Sequence, residues 1–468
     1  MKSPGSLTRT RRLTLTILLL LCGFAVVSPS QVIMRVPGDA PIGADTRAAA
    51  VEEVAAALLK VYVFPDQAGK MAALIRGRLA EGAYDDLDSG PRFCMALTED
   101  LQSVSRDKHL RVMYTGIEEP TGDGEPDSAD EQLRQEERRQ QLERRNFDFQ
   151  KLEILEGNVG YLRLNSFTGT EFSGETAVAA MNFLAHCDAI IFDLRGNGGG
   201  NPSLIQLITS YFVEEPTHLN SFYIRESDTT RQFWTAEHVA GPKMTDTELY
   251  VLTSSYTFSG AEEFSYNLKA LERATLVGET SGGGAHPVNF VGFPEIGISI
   301  SLPFGRAVNP ITGTNWEGCG VTPHIAVPAD RALDTAHLDA LKKLAAKAAT
   351  PSRAAELELA ARLLGARIDP VVLDAGSMAE YAGSYGDRKI FVEEGKLLYR
   401  RGKMPQRELI PLGDDQFIFE DVDDFVLQFD RDEKDVITAA TGLYGNGQRD
   451  VSPRDDEPID ETSSVVRE

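Results

Sequence analysis

The strongest constraint on this chain is the alternation, between residues 151 and 328, of short apolar runs with segments of helical periodicity. VGYLRL (159–164), AIIFDL (189–194), LYVLTSS (249–255), ATLVGE (274–279) and ISISLP (298–303) read as strands. TAVAAMNFLAH (176–186), LIQLITSYF (204–212) and the segment from Ser259 to Leu271 read as helices. Strands with near-continuous apolar runs are buried on both faces, and alternation with helices implies a sheet covered by helices. The expected fold class is therefore α/β, with a core over 151–335.

The flanking segments differ in character. Residues 45–116 carry Val51, Val54, Leu58 and Val61, then Met71 and Leu74, then Phe93, Leu97 and Leu101, at helical spacing. They predict a helical N-terminal domain, with Asp66 capping its second helix after Pro65. Residues 117–150 are rich in Gly, Pro and Asp and then run EQLRQEERRQQLERR, a charged linker. Residues 336–370 predict a helical connector. RKIFVEEGKLLYRR, ELIPLGDDQFIFE and DFVLQFDRDEKDVITAAT predict short strands and a small β-barrel-like domain over 371–452. The polar tail, 453–468, predicts disorder.

At the other end, Lys2, Arg9, Arg11 and Arg12 precede the apolar run Leu13–Val27. A basic region before a short apolar stretch is the export-signal pattern, so residues 1–30 are expected to be removed and the mature chain to be periplasmic or extracellular. No second stretch is apolar enough for a bilayer, so no stable membrane insertion is expected after cleavage. The net charge of −24 disfavours nucleic acid, whose phosphates need Lys and Arg. Cleavage would remove Cys22 and leave Cys94, Cys187 and Cys319, an odd number without CxxC spacing, read as small buried hydrophobes.

Three segments carry chemistry. In LYVLTSSYTFSGAEEF, Ser259 stands where a buried strand turns into a helix, above the sheet edge, where N–H groups favour negative charge. The same Ser259 with Glu262 also spells a capping box. In IFDLRGNGGGN, consecutive glycines after a strand let the backbone approach another group closely, although a plain turn has the same composition. In GTNWEGCGVTPHI, Glu317 is either a turn residue or a carboxylate placed to orient an imidazole. Of the seven histidines, His109 and His286 lie in polar or glycine-rich surroundings. No HExxH or paired His/Cys spacing suggests a metal, and no cofactor is expected.

Taken in order, DKHL (107–110), VGYLRLNSF (159–167), DLRGNGGGN (193–201), TFSGAEEF (257–264), VGETSGGGAHP (277–287) and NWEGCGVTPHI (315–325) resemble the family of C-terminal-processing (tail-specific) proteases, tricorn core proteases and interphotoreceptor retinoid-binding protein. The resemblance implies a ClpP/crotonase-like core sheet and a serine peptidase acting on polypeptides. It puts the nucleophile at Ser259, the base at His109, the orienting carboxylate at Glu317 and the oxyanion hole at the N–H groups of Gly260 and Gly199. In tail-specific members a lysine serves as base, but Gly283 stands about where it would fall, so a Ser–His–Glu triad is expected instead. The alternative function is a non-catalytic carrier of apolar ligands, as in the retinoid-binding relatives. The sequence does not specify an oligomeric state.

Overall fold

The computed structural model describes residues 40–116, 128–419, 422–445 and 447–455. The expected signal segment and residues 456–468 of the expected tail lie outside them. Three helices come first: α1 (Ala44–Val61), α2 (Pro65–Ala80) and α3 (Gly90–Ser105). Phe64 is the N-cap of α2 and Pro65 takes its first position, so Asp66 falls in the first turn rather than at the cap. A proline costs nothing there, because the first N–H has no partner within the helix.

β1 (Arg111–Tyr114) follows, and then α4 (Ser128–Arg144), which lies in the charged stretch expected as a linker. The central region runs β2 (Phe149–Leu155), β3 (Val159–Leu164), α5 (Thr170–Leu184), β4 (Ala189–Asp193), α6 (Pro202–Ser210), β5 (His218–Ile224), β6 (Thr229–Trp234), β7 (Glu248–Thr253), α7 (Gly260–Ala270) and β8 (Thr275–Gly278). It continues through β9 (Val288–Phe293), β10 (Ile298–Pro303), β11 (Gly305–Val308) and β12 (Ile325–Ala326) to α8 (Ala332–Lys347) and α9 (Pro351–Ile368). The main sheet has the order β12–β8–β7–β4–β3–β2, parallel except for β2 at its edge.

Both faces of that sheet are covered, as its continuous apolar runs require. Ile190, Phe192, Val251 and Leu276 face α5, α6 and α7 through Met181, Ile205 and Phe264. Ile191, Tyr250, Leu252 and Val277 face α8 and α9 through Ala336, Ala340, Leu341 and Leu357. The described residues between 383 and 453 form two antiparallel sheets, of four and five strands, around a separate cluster that includes Tyr385, Phe417, Leu427 and Phe429. The mixed α/β class, the helical N-terminal region and the all-β C-terminal region all match expectation.

ISISLP does not join the main sheet. As β10 it pairs with β9 and with β1, making an antiparallel sheet β1–β10–β9. Ile298, Ile300 and Leu302 are wholly buried in one cluster with Val54, Leu58, Leu97 and Leu101. Each buried side chain of this size stabilises by about 1.5–3 kcal/mol. The N-terminal helices and the central region thus share one core, and the turn from α3 into β1, residues 106–110, lies at the seam between them.

Candidate active site

Ser259 sits between β7 and α7 with φ +52° and ψ −121°, a backbone conformation uncommon for a side chain with a Cβ. A residue held so costs about 1–3 kcal/mol and persists only where its surroundings force it. Here the force comes from glycines. Gly199 has φ +108°, and a methyl on it would stand 2.7 Å from the Gly260 nitrogen and 2.8 Å from Ser259 Cβ. A methyl on Gly260 would in turn stand 2.9 Å from the Gly200 nitrogen. The 196–200 turn and the serine turn are therefore packed backbone against backbone.

Asn197, wholly buried, fixes that contact. Its Nδ2 donates to Leu164 O at 2.9 Å, its carbonyl accepts from Phe258 N–H at 3.1 Å, and its Oδ1 accepts from Gly199 N–H at 2.8 Å. The Gly199 N–H, expected as an oxyanion donor, is thus directed at Asn197, and what Gly199 contributes is close approach. The N–H of Gly260, at the first position of α7, makes no backbone hydrogen bond to the described residues outside its own helix.

Glu262 does more than cap. Its carboxylate is buried and accepts four hydrogen bonds: from Ser259 N–H (2.9 Å), Ser281 Oγ (2.5 Å), Gly283 N–H (2.7 Å) and Gly284 N–H (2.8 Å). It ties the serine turn to the 281–286 loop. Burial pushes its carboxyl up to about 7, against the pull of those four donors.

His109 lies beside this junction. Its ring packs on Phe258, the residue before Ser259, with centroids 4.6 Å apart, and its Cε1 lies 2.6 Å from where a Gly284 methyl would be. The side chain is 4% exposed, and neither ring nitrogen has a hydrogen-bond partner. Burial drives its pKa down to about 4, only partly opposed by Asp107, so the imidazole is neutral at pH 7. Glu317 lies nearby: its Oε2 accepts from Ala285 N–H at 2.6 Å, and its buried Oε1 has no partner. Burial, then the Asp107 charge, raises its carboxyl to about 7.

The structure therefore brings His109 within 4.8 Å of Glu317 and against Phe258, the residue before Ser259, with no hydrogen bond from the His109 ring to Ser259 or Glu317. Catalytic contacts are often long before substrate binds and tighten in the complex.

Two further residues, Asp107 and His286, were given no role from the sequence, although His286 was noted there beside His109. Asp107 Oδ2 lies 2.6 Å from His286 Nδ1, and Tyr62 Oη donates to the same oxygen at 3.4 Å. Asp107 Oδ1 accepts from the His109 N–H at 3.0 Å and stands 3.9 Å from His109 Nδ1. His286 Nδ1 is also 3.6 Å from Glu317 Oε2. Burial would lower the His286 pKa, but Asp107 and Glu317 raise it overall. Burial would raise Asp107, but His286 and His109 hold it below the ordinary carboxylate range. The signal in the sequence was the DKH triplet and the histidine that ends the glycine run. Cys319, read as buried, is exposed, whereas Cys94 and Cys187 are buried; all three are free thiols.

Comparison with known proteins gives the context. Residues 158–327 match peptidase family S41, and residues 45–156 match the N-terminal domain of peptidase S41 in eukaryotic IRBP. A carboxy-terminal-processing protease of Bartonella bacilliformis is 27% identical over 177 residues, 37% of this chain and 39% of its own. The chain thus spans about two fifths of that relative's length. Among solved structures, a putative peptidase from Parabacteroides merdae is similar at 17% identity over 59% of this chain and 89% of its own, with a TM-score of 0.40. The tricorn protease is similar at 13% identity over 62% of this chain and 35% of its own, with a TM-score of 0.38. Through the segments matched between residues 45 and 327, the chain belongs to peptidase family S41.

Proposed function

We propose that the protein is an exported serine peptidase that hydrolyses peptide bonds in polypeptides through an acyl-enzyme on Ser259. His109 takes the Ser259 proton as Oγ attacks the carbonyl carbon, then returns it to the leaving amine. A water, deprotonated by the same imidazole, next releases the acyl group. Glu317 orients His109 and offsets the charge it gains, the role of the carboxylate in such triads. Gly260 N–H serves the oxyanion, with a second donor from the 196–200 turn. Gly199 fills that second role only if its N–H leaves Asn197. Asp107 and His286 position the base from behind.

The observation that carries this reading is the strained Ser259 turn, packed on Gly199 with a neutral, unpartnered His109 beside it. A capping serine needs none of these features. Export rests on the basic and apolar pattern of the first 30 residues.

The test is labelling with a fluorophosphonate probe and hydrolysis of an unfolded protein substrate, wild type against Ser259→Ala. Labelling confined to wild type, with hydrolysis lost by about 10⁶-fold, is expected. Hydrolysis by Ser259→Ala at the wild-type rate would refute the assignment, and a wild-type chain that never labels would favour a carrier.

A further inference from the structure

The buried polar atoms beside Ser259 exceed what a proton relay uses. His109 has two ring nitrogens without partners, although its side chain is only 4% exposed. Glu317 Oε1 is likewise buried and unpartnered. A buried polar atom left unpaired costs about 1–3 kcal/mol, so three in one place call for a ligand. Asp107, His109 and Glu317 each bring one possible ligand atom to within 4.8 Å of the other two.

We propose that Asp107, His109 and Glu317 form a binding site for a divalent transition-metal cation, of which Zn²⁺ is the best fit, and that this cation inhibits the peptidase. One imidazole and two carboxylates are a donor set that Zn²⁺ takes in four-coordinate sites, and the imidazole disfavours Ca²⁺ and Mg²⁺. Metal–ligand bonds of about 2.0–2.2 Å put tetrahedral ligand atoms about 3.4 Å apart, so the three side chains close by about 1 Å around the ion. The two carboxylate charges balance the dication in a site that excludes bulk water.

The surroundings suit such a site. Asp107 Oδ2 is held by His286 at 2.6 Å, and Oδ1, which accepts from His109 N–H at 3.0 Å, keeps a second lone pair on the side of the His109 ring, 3.9 Å from Nδ1. Outer partners of this kind orient a ligating carboxylate. Glu317 Oε2 is fixed by Ala285 N–H, which leaves Oε1. A lone pair on His109 given to the metal is no longer available to receive the Ser259 proton. The cation is therefore an inhibitor of the proposed reaction and takes no part in it.

The experiment measures binding directly and so does not depend on peptidase activity. Metal-free full-length protein is titrated with Zn²⁺ by calorimetry, and with Co²⁺ by absorption, whose visible bands report tetrahedral geometry. One equivalent is expected for wild type and for His238→Ala, a histidine whose side chain is 91% exposed. His109→Ala and Glu317→Gln, each checked for an unchanged circular dichroism spectrum, are expected to weaken that equivalent by more than about tenfold. Zn²⁺ is expected to halt hydrolysis at the same equivalence point, and a chelator to restore it. No saturable binding to wild type, or binding unchanged in His109→Ala and Glu317→Gln, overturns the proposal. Binding as described by a chain that hydrolyses nothing would refute the peptidase reading and leave the metal site standing.

Discussion

Glu263 allows the electrostatics of the α7 helix to be tested quantitatively. It lies one residue beyond Glu262, is 3% exposed, and its carboxyl is pushed by burial up to about 7, against the opposing pull of Asn220 and Asn267. Raising a carboxyl from its ordinary 4.5 to about 7 corresponds to about 3 kcal/mol, at about 1.4 kcal/mol per tenfold change in affinity for the proton. The folded state holds this proton more tightly than the unfolded state does. The associated stability is fully present below pH 4.5 and is lost as pH rises through about 7. Glu263→Gln removes that titration while keeping the shape. It is expected to match wild type near pH 4.5 and to exceed it by about 3 kcal/mol at pH 8. Urea unfolding followed by tryptophan fluorescence reads this locally, because Trp316 is buried against Tyr266 of the same helix, with ring centroids 5.3 Å apart. A wild-type-to-variant difference that stays constant between pH 4.5 and 8 would refute the reasoning.

The same exchange one position earlier is expected to act in the opposite direction. Glu262→Gln presents an NH₂ to N–H and O–H donors that now meet oxygen, and is expected to destabilise by about 2 kcal/mol or more at pH 8 in the same unfolding assay. Gly284→Ala places a methyl 2.2 Å from Phe258 Cζ and 2.6 Å from His109 Cε1, so both rings must give way, by about 1 Å. Its kcat on a peptide substrate is expected to fall by about 10²-fold. Gly292→Ala, which meets nothing within 4 Å, is the control expected to keep full rate.

Much of the fold was legible because its signals are local. The apolar runs of β3, β4, β7 and β8 show burial on both faces without reference to any partner, and α1 to α3 show their periodicity. What was not legible depends on pairing over distance. Arg111 pairs with Ser301 across 190 positions, and nothing near either residue announces it, so ISISLP was read into the main sheet. In the candidate site, Ser259, His109 and Glu317 were expected from ordered motifs. Asp107 and His286 lie in two of those motifs, but their pairing was not legible, because the 2.6 Å contact joins segments 179 residues apart. The use of the Gly199 N–H by Asn197 was hidden for another reason: a glycine run records the backbone's freedom and not the direction its N–H groups take.

The shared core of the N-terminal helices and the β9–β10 hairpin bears on when the proposed site can first assemble. The imidazole is translated 150 residues before the hydroxyl, and the carboxylate later still. A ribosome-bound fragment ending before β10 lacks the strand that β1 lies against, so His109 has no fixed station. Under the proposed function, hydrolytic competence arrives only once β10 and Glu317 have been made.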